Sequence, residues 1–323
     1  MKMKKCCFVL LYFGKMPVYF PLFLKSCEKN PRFDWIIFTD DKTDYDYPAN
    51  VRCIYRTFGE IKQVFQNNFD FMISLSQPYK LCDYRPSFGL VFRDYLSGYR
   101  YWGYCDNDLI FGDLEHFLPD EFMERYDKLF CLGHITIFRN TQDNNKLFMK
   151  EINGRSLYKT VFTAQDNLIF DESWNNRNNI HDIFVLSGKT VYENDLSVNL
   201  KILSRKFIKI TFRPEQRVFE EDDRESLYIW DNGKILRFFM QDGILHREEY
   251  LYIHLQERKM KLRGNVIDQQ QYKIVPNSFL PLETHKIDQA SFPLIKKRAF
   301  NMHLLQYHMK WKLRKIKKIM KLK

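Results

Sequence analysis

Residues 99–113, YRYWGYCDNDLIFGD, constrain the fold more than any other stretch of this chain. Tyr101, Trp102, Tyr104 and Cys105 have the makings of a short buried strand. That strand runs directly into Asp106-Asn107-Asp108 and a second apolar triplet, Leu109-Ile110-Phe111, closed by a turn at Gly112. Two carboxylates are thereby brought to the end of a core strand. Ionised carboxylates are costly there unless something compensates them, and an oxygen-preferring divalent cation, Mg²⁺ or Mn²⁺, is the usual compensation. A cation held by one or two side chains keeps open positions for a diphosphate. The chain's other Asp-x-Asp triplet makes the contrast: Asp44 and Asp46 lie in DDKTDYDYP, a polar loop ended by a proline. The alternative for the central triplet is that Asp106 caps a turn and Asp108 is solvated.

Upstream, an apolar run ending in Val9 to Phe13 stops at Gly14, and Pro17 opens a segment with Phe20, Phe23, Leu24 and Cys27 at helical spacing, halted by Asn30-Pro31. Trp35 to Phe38 and Val51 to Tyr55 are further short apolar runs. Strand, helix, strand, strand begins a Rossmann-like α/β unit, in which ligands bind beyond the carboxyl ends of parallel strands. Asp40 and Asp41 stand at such an end, either as ligand-binding groups or as turn formers. Phe58, Ile61, Val64 and Phe65 predict another helix, followed by PYKLCDYRP at 78–86 with Lys80, Asp83 and Arg85 close together. A helical start after Pro78 sets Lys80 and Asp83 at i, i+3. They would then hold a diphosphate and a ribose hydroxyl, or form a local surface ion pair.

Beyond the central triplet, Leu129 to Leu132 and Ile135 to Phe138 flank Gly133-His134, and Thr141 is expected to cap a helix carrying Leu147, Phe148 and Met149. The segment AQDNLIFDES brings Asp166, Asp171 and Glu172 around an apolar triplet, and the Asn-rich residues 173–182 read as a loop that shapes an acceptor pocket. Residues 213–226 are highly charged and uninformative. Ile235 to Met240, an Asp242-Gly243 turn and Tyr250 to Leu255 predict paired strands. In the last of these, Leu251, Ile253 and Leu255 share one face and Tyr250, Tyr252 and His254 the other. His254 becomes a metal or phosphate contact where that strand lies beside Asp108, and is otherwise a solvated histidine.

The net charge of +11 resembles a nucleic-acid signal until it is divided along the chain. Residues 291–323 hold eleven Lys/Arg and no Asp or Glu, leaving 40 basic against 40 acidic residues in 1–290. A neutral body with a basic tail argues against specific nucleic-acid binding and for a tail that meets an anionic surface. From Leu304 to Lys323 the apolar residues Leu304, Tyr307, Trp311, Ile316, Ile319 and Leu322 recur among eight Lys/Arg, so a helix there would be apolar on one side and cationic on the other. No apolar run reaches the ~18–20 residues needed to span a bilayer. The seven cysteines, without a C-x-x-C pair, indicate neither a disulfide framework nor a zinc knuckle and fit a reducing cytosol.

Taken together, YFGKMPVYFPLFLKSCEKNPRFDWIIFTDD, PYKLCDYRPSFG, YWGYCDNDLIFGD, LGHITIFRN and YLYIHLQER resemble a family of bacterial glycosyltransferase-like proteins encoded among genes for capsule and lipopolysaccharide synthesis. The chain is more distantly similar to the metal-dependent GT-A transferases of glycosyltransferase families 8 and 32. The resemblance covers roughly residues 6–260. It implies a GT-A (Rossmann-like) α/β domain over 1–260, an extension at 261–290 and the basic tail at 291–323. It also implies a nucleotide-diphosphate sugar donor, UDP-sugar favoured, with Mn²⁺ or Mg²⁺. Residue by residue, Asp106 and Asp108 match the metal carboxylates, and His254 takes the place of a late histidine that completes such a site. Lys80 and Asp83 fall where donor-binding residues precede the acidic triplet. Apart from the resemblance, Asp40, Arg85 and Asn107 are expected as further donor contacts. The activity implied is hexosyl transfer to a lipid-linked saccharide, by an enzyme held at the inner face of the cytoplasmic membrane. The family 8 signature H-x-G-x-x-K-P-W is absent, so stereochemistry is not carried over. If the reaction inverts, Asp166, Asp171 or Glu172 is the candidate base. Metal-dependent phosphoryl or nucleotidyl transfer and non-catalytic saccharide binding are the rival readings.

Overall fold

In the computed structural model, which describes residues 3–173, 178–202, 206–256, 258–284, 286–298, 306 and 309–313, the organising strand is the first. The first half of the chain forms β1 (Lys4–Tyr12), β2 (Phe33–Thr39), β3 (Val51–Tyr55), β4 (Tyr99–Cys105), β5 (Leu109–Phe111), β6 (Lys128–Leu129) and β7 (Ile135–Arg139). The second half adds β8 (Val191–Tyr192), β9 (Val198–Leu200), β10 (Lys209–Arg213), β11 (Val218–Asp222), β12 (Ser226–Asp231), β13 (Lys234–Gln241) and β14 (Ile244–Tyr250). It closes with β15 (Tyr252–His254), β16 (Lys261–Leu262), β17 (Gln271–Val275) and β18 (Ser278–Pro281). Three sheets result, ordered β3-β2-β1-β4-β7-β6-β8, β11-β10-β9-β15-β5 and β14-β13-β12-β17-β18-β16.

β1 pairs in parallel with both β2 and β4, so it is a central strand, and a core on each face of the sheet explains its uninterrupted apolar sequence. Its side chains alternate between two cores. Cys6, Phe8 and Leu10 pack with Phe20, Phe23 and Leu24 of helix α1 (Phe20–Glu28), whereas Cys7 and Val9 pack with Ile61 and Phe65 of helix α2 (Phe58–Gln66). The predicted strand–helix–strand–strand opening is therefore present, with α2 started by a reciprocal Thr57–Glu60 capping box. β4 pairs antiparallel with β7, so the sheet is mixed beyond the parallel β3-β2-β1-β4 core.

Two local expectations differ. Residues Tyr250 to Leu255 do not form one strand: β13 turns at Asp242-Gly243 into β14, which ends at Tyr250, and the chain then enters the second sheet as β15. Gly112 permits this crossing, since a Cβ there would lie 2.4 Å from the Tyr250 carbonyl oxygen. The segment expected as an extension at 261–290 supplies β16–β18, and β17 pairs with β12, so it completes the third sheet. Phe292 and Ile295 are also buried against Leu227 and Ile229, which ties the start of the basic tail to the fold. The amphipathic helix read from Leu304 to Lys323 lies mostly outside the described residues, of which 309–313 are helical.

Candidate functional site

The end of β4 and the start of β5 meet β15 where the first two sheets touch. β15 pairs with β5 antiparallel, His254 opposite Leu109, and with β9 in parallel, His254 opposite Asn199. The Leu255 amide donates to the Asp108 carbonyl oxygen at 3.0 Å, and the Asp106 amide to the His134 carbonyl oxygen at 3.1 Å. The acidic triplet is thus pinned from both sides, and His254 is buried beside it.

Asp106, Asp108 and His254 each offer a ligand atom within 4.8 Å of the others. His254 Nε2 lies 3.3 Å from Asp108 Oδ1 and 3.8 Å from Asp106 Oδ2, and Nδ1 lies 3.2 Å from Asn199 Oδ1. Burial opposes a proton on His254, but the Asp108 carboxylate outweighs it and raises the imidazole above its ordinary value. Two carboxylates and an imidazole suit Mn²⁺ or Mg²⁺ with open positions left for a ligand, and Asn199 orients the histidine from behind. The donor set fits the group that the resemblance implies.

These residues border a cavity of about 760 Å³. Its walls are the carboxyl end of β1 (Val9 to Phe13), the 3₁₀ segment Pro78–Ser87, the Leu132–His134 turn, loop residues Asn167, Ile169, Asp171 and Glu172, and the far wall Lys201, Ile202, Ile210 and Phe219. A mouth beyond the ends of parallel strands is the expected position in such a sheet. Arg85 reaches across this space. Its guanidinium bonds Asp106, donates to Asp171 Oδ2 at 2.9 Å and to the Gly133 carbonyl oxygen at 2.8 Å, and stacks over Tyr104. Burial, opposed by Arg85 and reinforced by Glu172 and Asp106, pushes the Asp171 carboxyl up to about 8. Glu172 accepts from the Gly133 amide at 3.0 Å, a close approach in which a Cβ at 133 would sit 3.0 Å from an oxygen of each carboxylate.

Other sequence candidates stand elsewhere. Lys80 and Asp83 are wholly buried behind the wall and do not reach the cavity. Lys80 Nζ donates to Asp83 at 2.7 Å and to the carbonyl oxygens of Val161 and Asp166, while Asp83 accepts from the Leu168 and Phe170 amides at 2.8 and 2.9 Å. They clamp the loop that carries Asp171 and Glu172, which corrects both the donor-contact and the surface-pair readings. Asp40 accepts from the Gly14 amide at 2.7 Å and Asp41 from the Met16 amide at 2.9 Å, so both hold the turn after β1 outside the cavity. The Asp166 side chain is exposed and outside the cavity, leaving Asp171 and Glu172 as its acidic pair. Asn107 does line the cavity, its Nδ2 without a hydrogen-bond partner among the described residues. Two contributors were missed from sequence: His134, visible only as half of a Gly-His pair between apolar runs, and the β10–β11 hairpin, whose second strand lies in the highly charged stretch 213–226. Within the expected loop 173–182, residues 174–177 lie outside the described residues and a helix, Ile180–Leu186, starts from an Asn179 cap.

The model of a family of unknown function (DUF6625) matches residues 8–283. No curated protein matches the chain. Among solved structures, similarity extends to the galactosyltransferase LgtC in complex with donor and acceptor sugar analogues, at 12% identity and a TM-score of 0.34 over 60% of this chain and 75% of that one. It extends also to the glycosyltransferase GlyE of Streptococcus pneumoniae TIGR4, at 9% identity and a TM-score of 0.31 over 59% of this chain and 45% of that one.

Proposed function

The chain belongs to that family of unknown function, and we propose for it a metal-dependent glycosyltransferase of GT-A type that moves a hexose from a nucleotide-diphosphate sugar, UDP-sugar favoured, to a lipid-linked saccharide in capsule or lipopolysaccharide assembly. The observation that carries the reading is the convergence of Asp106, Asp108 and His254 at a 760 Å³ cavity beyond the carboxyl ends of parallel strands. A divalent cation held there would supply Lewis acidity toward a departing diphosphate. The protein's own groups do the rest. Arg85 fixes Asp106 and adds positive charge to the acidic floor, and Asn107 lines the cavity beside the cation ligands, where the donor would bind. Asp171 and Glu172 are the candidates for a base on the acceptor hydroxyl if the reaction inverts; a retaining reaction needs none.

Two-metal phosphoryl transfer is less well supported. The carboxylate nearest the triplet in sequence, Asp113, is spent as a helix cap, accepting from the His116 amide at 3.0 Å, and Asp171 is engaged by Arg85. No helix among the described residues is long and apolar enough to cross a membrane. We assign the lipid-linked acceptor to the anionic inner leaflet, met by the basic tail.

The test is hydrolysis and transfer from UDP- and GDP-sugars with and without Mn²⁺. Turnover is expected only with metal, and Asp106→Ala, Asp108→Ala and His254→Ala are each expected to weaken Mn²⁺ binding and to abolish turnover while circular dichroism stays native. Metal-independent turnover, or full activity in both aspartate variants, refutes the assignment.

A further inference from the structure

His134 is the buried polar side chain of this cavity that the chemistry above leaves unused. It is 6% exposed, its Nδ1 lies 2.7 Å from the Tyr252 hydroxyl, and its ring centroid is 4.5 Å from that of His254. Its Nε2, at a cavity-lining residue, has no hydrogen-bond partner among the described residues. Buried imidazole nitrogens are ordinarily satisfied, so a site built around an orphan one is short of a ligand atom. The cation itself does not supply that atom: the converging group comprises Asp106, Asp108 and His254, and His134 stands outside it.

The neighbours identify the missing partner. His134 lies against the cation group through His254, while the amide of the preceding Gly133 is bonded to Glu172, so the turn runs from the cation site to the acidic pair. In a transfer between a metal-held diphosphate and an acceptor near those carboxylates, the sugar occupies the interval. The Tyr252 hydroxyl can donate to Nδ1 or accept from it, which leaves Nε2 as a donor in one tautomer and an acceptor in the other. A sugar hydroxyl satisfies both tautomers; a phosphate oxygen satisfies only one. We propose that His134 is a specificity-determining residue whose Nε2 hydrogen-bonds a hydroxyl of the sugar being transferred, an inference that rests on the donor reading above.

Full-length protein in Mn²⁺ is titrated calorimetrically with UDP, GDP, UDP-glucose, UDP-galactose and GDP-mannose. His134→Phe is expected to bind Mn²⁺ and free nucleotide diphosphate like wild type, and to lose roughly threefold to tenfold in affinity for the nucleotide sugar that wild type prefers, the worth of one neutral hydrogen bond. His134→Gln, with an amide near the Nε2 position, is expected to recover most of that loss. Histidine ¹⁵N resonances of the wild type, with His134 assigned from the Gln variant, keep the test independent of how the Phe variant folds. The His134 Nε2 signal is expected to move with the sugar nucleotide and not with the free diphosphate. Equal weakening of both ligands, or of neither, overturns the His134 assignment. Wild type that binds no sugar nucleotide overturns the donor reading, and this inference with it.

Discussion

The Lys80–Asp83 pair separates a structural clamp from a substrate contact by a measurable stability change. Both side chains are 0% exposed. All three ammonium donors are used, on Asp83 and on the carbonyl oxygens of Val161 and Asp166, and Asp83 takes two further backbone amides. Removing one member of such a pair costs about 3–5 kcal/mol because the survivor is left charged and buried. Lys80→Met belongs at the lower end, near ~3 kcal/mol, since the Leu168 and Phe170 amides still compensate Asp83. Asp83→Ala belongs near ~5 kcal/mol, because it strands an ammonium and two amides together. At about 2–4 °C per kcal/mol for a large domain, the two variants should melt roughly 6–12 °C and 10–20 °C below wild type. The Lys80→Met, Asp83→Leu double variant should cost less than the sum of its parts, without returning to wild type, as the loop amides remain without an acceptor. Thermal unfolding is the assay, with Mn²⁺ titration below the melting range as control. Melting within ~2 °C of wild type, together with weakened nucleotide binding, would refute the clamp and restore the donor contact.

Further outcomes follow from the acidic pair and the tail. Asp171, raised to about 8 by burial despite Arg85, is protonated in the folded protein and ionised in the unfolded chain between about pH 4 and 8. Its contribution to stability is full below about pH 4 and is lost as the pH rises through about 8, so urea unfolding of Asp171→Asn should depend less steeply on pH than wild type; identical slopes contradict the shift. If Asp171 is the base, kcat/KM rises with pH through the same value and the Asn variant is inactive. For the tail, the comparison is full-length protein against residues 1–298, a cut that keeps Phe292 and Ile295 in their core. Full-length protein should sediment with phosphatidylserine vesicles at low salt and not with neutral ones, whereas 1–298 should stay in solution; equal binding by both forms removes the anchor.

The elements legible in the sequence are those whose signal is local. β1, β2 and β4 announce themselves as apolar runs because strands sandwiched between two cores leave no room for polar alternation. Asp106 and Asp108 stand out because apolar residues clamp them within a few positions. His254 was legible one step less directly: its period-two face placed it opposite the aliphatic side, but only pairing with β5 brings it to the carboxylates. The far wall was illegible for the opposite reason. KITFR and VFEED do carry strand formers, Ile, Thr, Phe and Val, but charged residues around them mask the pattern, and their order comes from pairing with each other and with β9.

Lys80 and His134 show where a local reading ends. A lysine three residues before an aspartate is equally consistent with a phosphate contact, a surface pair and a buried clamp, and what decides among them is the loop 166–170, more than eighty positions away, folding over the pair. Once that loop covers Lys80, a diphosphate has no path to its ammonium, and the charge serves the position of Asp171 and Glu172 instead. His134 is the converse. Its short-range context, a glycine between apolar runs, suggests only a turn, and its meaning depends on Tyr252 engaging one ring nitrogen from 118 positions away while the other, at a residue that lines the cavity, is left without a partner among the described residues. In both cases the residue type was visible and the burial was not. Burial is what converts a lysine from a ligand into a clamp, and a turn histidine into an unsatisfied group that a substrate can complete.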